Sequence, residues 1–106
     1  MITAMVQFRT AEGTTLAQAR ALFESTAPRY LGAEGLIRKY YIFDEKTSVA
    51  GGCYLFRDRA AAEAMFDGEW RAFVTAKYGA PPRLQLFETP VVVDNRLGAI
   101  ETGGEA

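Results

Sequence analysis

Two neighbouring segments, Leu36–Phe43 and Val49–Phe56, limit the possible folds most, because both are apolar on both of their alternating sides. In an extended strand, Cys53 and Tyr54 point to opposite faces of a sheet. The first segment likewise places the adjacent aromatics Tyr40 and Tyr41 on opposite faces. An open sheet face that meets water is normally polar. These strands must therefore be covered on both faces.

The rest of the chain alternates between strand and helix signals. Apolar residues recur with period two in strands and at helical spacing in helices, and Gly, Pro, Thr and Asp mark the boundaries. The predicted elements are a strand at Ile2–Arg9, a helix that Thr14 or Thr15 caps and that ends near Leu31 with a kink at Pro28, strands at Leu36–Phe43 and Val49–Phe56, a helix pair that contains Ala61–Phe66 and Trp70–Tyr78 and that Asp58 caps, and a last strand from Leu84 to Val93 broken at Pro90.

This order is the ferredoxin-like βαββαβ pattern, an α+β fold with an antiparallel sheet and helices on one face. We expect a single domain over residues 1–96 and a disordered tail over residues 97–106. The second and fourth strands should form the sheet edges. Since no element remains to cover the second face, a second copy of the chain is the simplest cover, which predicts a homodimer.

The composition excludes several classes of function. The chain has no His, which removes the Ser-His-Asp, Cys-His and His-metal sites, and its one cysteine, Cys53, cannot form an internal disulfide. We therefore expect no metal and no cofactor. With 12 Lys and Arg against 13 Asp and Glu, neither nucleic acid nor a membrane surface is an expected partner. The N-terminal residues lack a signal-peptide pattern, so a cytoplasmic location is expected.

One hairpin carries a family resemblance. The stretch GLIRKYYIFDEKTSVAGGCYLFRD resembles the YdhR-type monooxygenases of the dimeric α+β barrel superfamily, in which a Gly-led strand with a central Lys precedes a hairpin ending in AGGxYLF and an acidic residue. The matching positions are Gly35, Lys39, Ala50, Gly51, Gly52, Tyr54, Leu55, Phe56 and Asp58. The resemblance implies a dimeric barrel and an oxygenase activity.

The candidate catalytic residues lie in and beside this hairpin. Arg38 can stabilise a developing anion, and Tyr40 or Tyr54 can donate a hydrogen bond to it. The candidate substrate-binding residues are aromatics that could roof a cavity between helices and sheet: Trp70, Phe23, Tyr30 and Phe66. Packing alone explains all of these aromatics equally well. Gly51-Gly52 is interpreted as a β-bulge rather than a ligand contact.

Three functions remain open at this stage. The first is a cofactor-independent monooxygenase acting on a small hydroxylated aromatic or a quinol. The second is a non-catalytic dimer that binds a small ligand, such as a stress-related protein, and the third is a structural dimer with a filled interior. A hollow region around Tyr54 and Trp70 would favour the first two.

Overall fold

The computed structural model describes residues 1–103 and has a four-stranded antiparallel sheet with helices packed on one face. Its elements, in chain order, are β1 (Ile2–Arg9), α1 (Leu16–Tyr30), β2 (Leu36–Asp44), β3 (Val49–Phe56), α2 (Arg59–Met65), α3 (Gly68–Tyr78), β4 (Arg83–Glu88), β5 (Val91–Asp94) and β6 (Ala99–Thr102). The strand order β2-β3-β1-β4 confirms the ferredoxin-like prediction, with β2 and β4 at the edges.

Side-chain caps fix where the helices begin. The Thr15 hydroxyl accepts the backbone N–H of Gln18, and the Gln18 side chain accepts the N–H of Thr15, which together form a capping box. Asp58 caps α2 as predicted, and Asp67 caps α3 by accepting the N–H of Trp70 at 2.8 Å. Pro28 lies inside α1, which continues to its last residue two positions further on.

The core lies between the helices and the inner face of the sheet. β1 and β3 form its floor, because alternate residues of the two strands face inward at paired positions. The buried apolar residues are Ile2, Ala4, Val6, Phe8, Ala19, Phe23, Tyr30, Ala50, Tyr54, Phe56, Ala62, Phe66, Trp70 and Val74. Aromatic rings make up much of this core, so its packing is rigid and directional.

The C-terminal part differs from the prediction. Pro90 does not merely break the last strand: β4 belongs to the main sheet, whereas β5 pairs with β6 in a separate hairpin. The disordered tail expected over residues 97–106 is wrong for residues 99–102, which form β6. The Asp94 carboxylate holds the hairpin turn by accepting the backbone N–H groups of Arg96 and Leu97. Residues 104–106 of the expected tail lie outside the described part.

The bulge expected at Gly51-Gly52 lies elsewhere. Both glycines sit in uninterrupted register with β1 and β2, and the register shift falls between Leu36 and Arg38 in β2. The glycines instead permit close approach: a Cβ atom on Gly51 would overlap the carbonyl oxygen of Val6 in β1. The missing side chain is therefore a packing requirement.

Gly51→Ala should destabilise the fold by about 3 kcal/mol, because the new methyl group meets β1 backbone that cannot move without breaking the ladder. Urea denaturation followed by circular dichroism measures the effect. Gly68→Ala is the matched control, since a Cβ atom there meets nothing within 4 Å. That variant should be neutral or more stable by about 0.5 kcal/mol. Equal midpoints for the two variants would contradict the close-approach explanation.

Candidate functional site

The centre of the candidate site is Lys39, whose side chain enters the core from β2. Its cross-strand partner is Tyr54, which faces the helices, so the Lys39 side chain faces them too. Its Nζ atom lies 3.3 Å from the ring centroid of Tyr30, 3.9 Å from that of Tyr41 and 4.6 Å from that of Tyr54. We call these three residues the tyrosine cage. The cage thus encloses an amine rather than an empty space.

A single extra residue in β2 places Lys39 there. Leu36 pairs with the inward-facing Phe56, but Arg38 pairs with Leu55, which faces the opposite side of the sheet. Ile37 is the bulged residue, and it shifts the alternation by one. Without this bulge, Arg38 would point toward the helices and Lys39 away from them.

The Lys39 amine lacks an ionic partner among the described residues. Within residues 1–103, no carboxylate forms a salt bridge with Lys39. Burial therefore lowers the pKa of Lys39 to about 7, and the positive charge of Arg29 contributes in the same direction. The cage rings oppose this shift, because their π faces attract the ammonium form.

The surrounding hydroxyls remain protonated at neutral pH. Burial raises the pKa of Tyr41 to about 12 and raises that of Tyr54 further. The Thr26 hydroxyl donates to the Phe23 carbonyl at 3.1 Å, so the Tyr41 hydroxyl donates to Thr26 across 2.8 Å. These phenols can donate hydrogen bonds but cannot accept a substrate's proton, which leaves Lys39 as the base of this cluster.

Gly52 makes room for the lysine. A Cβ atom on Gly52 would lie 3.2 Å from Cε of Lys39 and 2.9 Å from Cε1 of Tyr54. A larger residue would therefore press against both the amine stem and the cage. The sequence signal for this packing is the AGGxYLF hairpin beside a central Lys, which the β-bulge interpretation did not use.

The predicted site residues separate into two groups. Arg38 and Tyr40 lie on the outer face of the sheet, away from the helices. There Arg38 donates to the Asp94 carboxylate at 2.7 Å and to the Tyr40 hydroxyl at 3.2 Å. Neither residue shares a chamber with Tyr54 or Trp70, so the predicted cluster of Arg38, Tyr40 and Tyr54 does not form. The bulge at Ile37 is the physical reason, because it turns Arg38 and Tyr40 to the outer face.

The predicted aromatic wall does form, around Tyr54. The rings of Tyr30 and Phe66 contact the Tyr54 ring edge-on, and the Phe23 ring stacks on Tyr41 with centroids 4.7 Å apart. The Trp70 indole N–H donates to the Tyr30 hydroxyl at 3.2 Å. Of the four predicted roof residues, Tyr30 and Trp70 line the interior cavity together with Lys39, whereas Phe23 and Phe66 pack behind it against Tyr41 and Tyr54.

This chamber is nearly filled. The interior cavity around Tyr54 and Trp70 measures about 10 Å³, enough for about one water molecule. A larger pocket of about 230 Å³ opens beside it, where the C-terminal end of α1 meets edge strand β2. Its walls include Ala27, Leu31 and Ile37, together with Lys39. Lys39 therefore contributes to the lining of both the closed interior and an open pocket.

Two further properties concern metals and membranes. Within residues 1–103, no three His, Cys, Asp or Glu side chains are grouped closely enough to hold a metal ion. Among the helices of the same residues, none is both long and apolar enough to cross a membrane.

The fold and the enclosed amine define a ferredoxin-like α+β domain with a lysine side chain inside an aromatic chamber. Residues 5–80 match the family model described as "Putative mono-oxygenase ydhR". The match spans well over half of the chain, so the chain belongs to this family. A search of curated proteins found no match.

Solved structures share the same fold. The NE2512 protein from Nitrosomonas europaea is 20% identical, with a TM-score of 0.64, and the match covers 83% of this chain and 87% of that one. SnoaB from Streptomyces nogalater, a cofactor-independent oxygenase, is 18% identical with a TM-score of 0.60, covering 83% and 91%. A Deinococcus radiodurans protein described as a putative antibiotic biosynthesis monooxygenase is 9% identical with a TM-score of 0.66, covering 89% and 97%.

Stability should rise with pH because of Lys39. Its pKa is about 7 in the folded chain and about 10.4 in an unfolded one, so between these values the unfolded state binds more protons. The free energy of unfolding should therefore increase by about 2 kcal/mol from pH 7 to pH 9 through this group alone. Lys39→Met should lose that increase, as measured by urea denaturation at both pH values.

Lys46→Met is the control for this experiment, because Lys46 is an exposed lysine on the turn after β2. It should keep the pH dependence of the parent. Ionisation of Cys53 also changes the free energy of unfolding with pH, but it does so equally in the parent and in both variants, so it cancels when they are compared. The same pH slope in Lys39→Met and the parent would contradict a buried amine with a lowered pKa.

Proposed function

We propose that the protein is a cofactor-independent monooxygenase acting on a small hydroxylated aromatic or quinol, with Lys39 as the group that accepts the substrate's proton. The observation that carries the proposal is the Lys39 amine, held in the tyrosine cage with a pKa of about 7. Membership of the mono-oxygenase family and the likeness to SnoaB support it. In a chain without His, this amine supplies acid-base chemistry near neutral pH.

The proposed oxygenation requires removal of the proton from the substrate hydroxyl and stabilisation of the resulting anion. Lys39 takes the proton of the substrate hydroxyl, and the resulting ammonium lies beside the anion that it has created. The electron-rich anion then reduces O₂ directly. For a naphthol, one oxygen atom enters the ring to give a quinone and the other leaves as water, so the substrate supplies all four electrons.

The proposal gives to Lys39 the role that the sequence suggested for Arg38. The guanidinium is on the outer face, is paired with Asp94 and stays charged at every accessible pH. It can therefore neither reach the aromatic chamber nor accept a proton. Tyr54 and Trp70 line the filled interior and support the cage from behind, whereas Tyr30 and Tyr41 form the aromatic wall that faces the pocket.

The proposed binding place is the 230 Å³ pocket rather than the filled interior. It is bounded by apolar side chains and by Tyr30, Arg38, Lys39 and Tyr41, so a flat ring can lie against the cage with its hydroxyl toward the amine. A small aromatic fits this description, whereas a bulky ligand requires the α1 end to move.

Replacing Lys39 should abolish turnover. Lys39→Met is expected to lower kcat/KM by about 10²-fold or more, since it removes the base and the positive charge together. Oxygen consumption with a panel of naphthols, anthrones and quinols measures the effect. In the parent, activity should rise with pH through about 7 as the amine loses its proton.

Two variants distinguish the possible roles. Lys39→Arg keeps the charge but cannot accept a proton, so it should be as inactive as Lys39→Met if the amine is the base. Lys46→Met, at an exposed lysine that does not line the pocket, should retain activity. If aromatics bind but none is oxidised above the buffer rate, the protein is a ligand-binding dimer. If none binds, the filled-interior structural function replaces this proposal.

We also propose that a second copy covers the outer sheet face. Beside Arg38, Tyr40 and other polar residues, this face carries five apolar residues that are only partly shielded in one chain: Met5, Ile42, Cys53, Leu55 and Phe87. Burying such a face removes it from water, and a two-fold axis lets identical patches meet.

Phe87→Asp should convert the dimer to a monomer. Phe87 is 48% exposed in the isolated chain, so the charge leaves the monomer fold intact but is unpaired in the interface. Sedimentation equilibrium should give twice 11.7 kDa for the parent and 11.7 kDa for the variant. Leu31→Asp, at the end of α1 and 89% exposed, should remain dimeric. A parent that stays monomeric at micromolar concentration would exclude this assembly.

A further inference from the structure

The Lys39 amine has a second chemical capacity, which the oxygenase proposal does not use. A neutral amine is a nucleophile, and lysines in apolar surroundings form imines with carbonyl compounds. An ammonium cannot do this, because its nitrogen has no free electron pair. The question is therefore whether this amine is reachable and selectively reactive.

Access is provided by the pocket at the end of α1. Its 230 Å³ volume is bounded by Ala27, Leu31 and Ile37, with Lys39 at the wall that it shares with the interior. The Lys39 side chain is half-buried rather than sealed. A planar molecule can thus approach the amine along the cage rings, which favour stacking with another aromatic ring.

Selectivity follows from the distribution of amines. The chain has three lysines, Lys39, Lys46 and Lys77, and the other two are exposed. Burial lowers the pKa of Lys39 to about 7, which favours its neutral, nucleophilic form near physiological pH. No carboxylate pairs with Lys39 within residues 1–103 to hold it as an ammonium.

We propose that Lys39 is a covalent capture site for small aromatic aldehydes, which enter through the pocket between α1 and β2 and form an imine with its Nζ atom. The nitrogen attacks the carbonyl carbon, and the carbonyl oxygen takes a proton to give a carbinolamine. Loss of the nitrogen's proton and of the hydroxyl as water then forms the C=N bond. No oxidant or reductant takes part.

The experiment uses 4-hydroxybenzaldehyde with the full chain at pH 7.4, followed by sodium borohydride. Borohydride delivers hydride to the imine carbon and fixes the adduct as a secondary amine. Intact mass and peptide mapping then give the occupancy of each lysine and of the α-amino group. We expect at least about tenfold more adduct on Lys39 than on Lys46 or Lys77, because burial favours the neutral amine of Lys39 and only Lys39 lines a pocket that can hold the aromatic ring beside it.

Three variants complete the design. Lys39→Met should lose the selective adduct, and Lys46→Met should keep it. Ala27→Leu narrows the pocket, so it should slow adduct formation with 4-hydroxybenzaldehyde more than with the smaller propanal. Equal labelling of all three lysines, or labelling confined to the α-amino group, would overturn the capture site. An Ala27→Leu rate equal to the parent's would overturn the entry route.

Oxygen uptake plays no part in this assay, so its outcome is separate from that of the proposed function. Selective trapping on Lys39 without oxygen consumption would support the capture site and contradict the proposed oxygenase function. Oxygen consumption without trapping would support the oxygenase function and contradict the capture site. A base that only exchanges a proton does not need to be accessible to the carbonyl carbon of an aldehyde.

Discussion

The extra residue at Ile37 decides what the inner face of the sheet contains. Side chains alternate strictly along a strand, so one inserted residue exchanges the inward and outward sets beyond it. Here the exchange puts Lys39 and Tyr41 among the helices, and it puts Arg38 and Tyr40 outside. The aromatic core, the amine inside it and the ion pair on the outer face all depend on this one bulge.

Placing an amine in this core has a cost that the surrounding residues only partly offset. Burial of an unpaired ammonium can shift a lysine pKa by several units, each worth about 1.4 kcal/mol. Cation–π contacts return about 0.5–2 kcal/mol. The balance favours the neutral amine near pH 7, because no carboxylate in the described residues restores the charge. A packing group of the same size, such as methionine, would be stable at every pH. The lysine therefore serves chemistry better than it serves stability.

The fold was readable from the sequence because its signals are local. Alternation in Ile2–Arg9, the Thr15 and Asp58 caps and the Gly79 stop each act within a few residues, and together they predict the element order. The hairpin of β5 and β6 was missed because its support is distant: Asp94 binds Arg38, which lies 56 positions earlier. A composition that reads as a polar tail becomes ordered once this buried carboxylate anchors its turn.

The sequence predicted only part of the candidate site, for a related reason. The aromatic residues Trp70, Phe23, Tyr30, Phe66 and Tyr54 were predicted together, since large apolar rings on helices and inner strand positions meet in any core of this fold. Whether Arg38 or Lys39 joins these rings depends on the register of β2. The sequence does not show the bulge that sets this register, because the bulged residue is the β-branched Ile37 and not a Gly or Pro. Gly51-Gly52 carried the conventional bulge signal, yet those glycines serve close packing against Val6 and Lys39.

The same geometry puts the open pocket and the closed interior on different sides of Lys39. The interior beside Lys39 holds about one water molecule, whereas the pocket on its other side opens to solvent at an edge strand. A reacting molecule at that rim has the cage on one side and can be shielded on the other only by its own ring or by movement of the α1 end. Chemistry that needs a single proton removed beside a fixed positive charge tolerates such partial exposure. Chemistry that must hide a long-lived intermediate from water does not. The proposed substrates, which carry their own electrons and react in a few steps, meet this requirement.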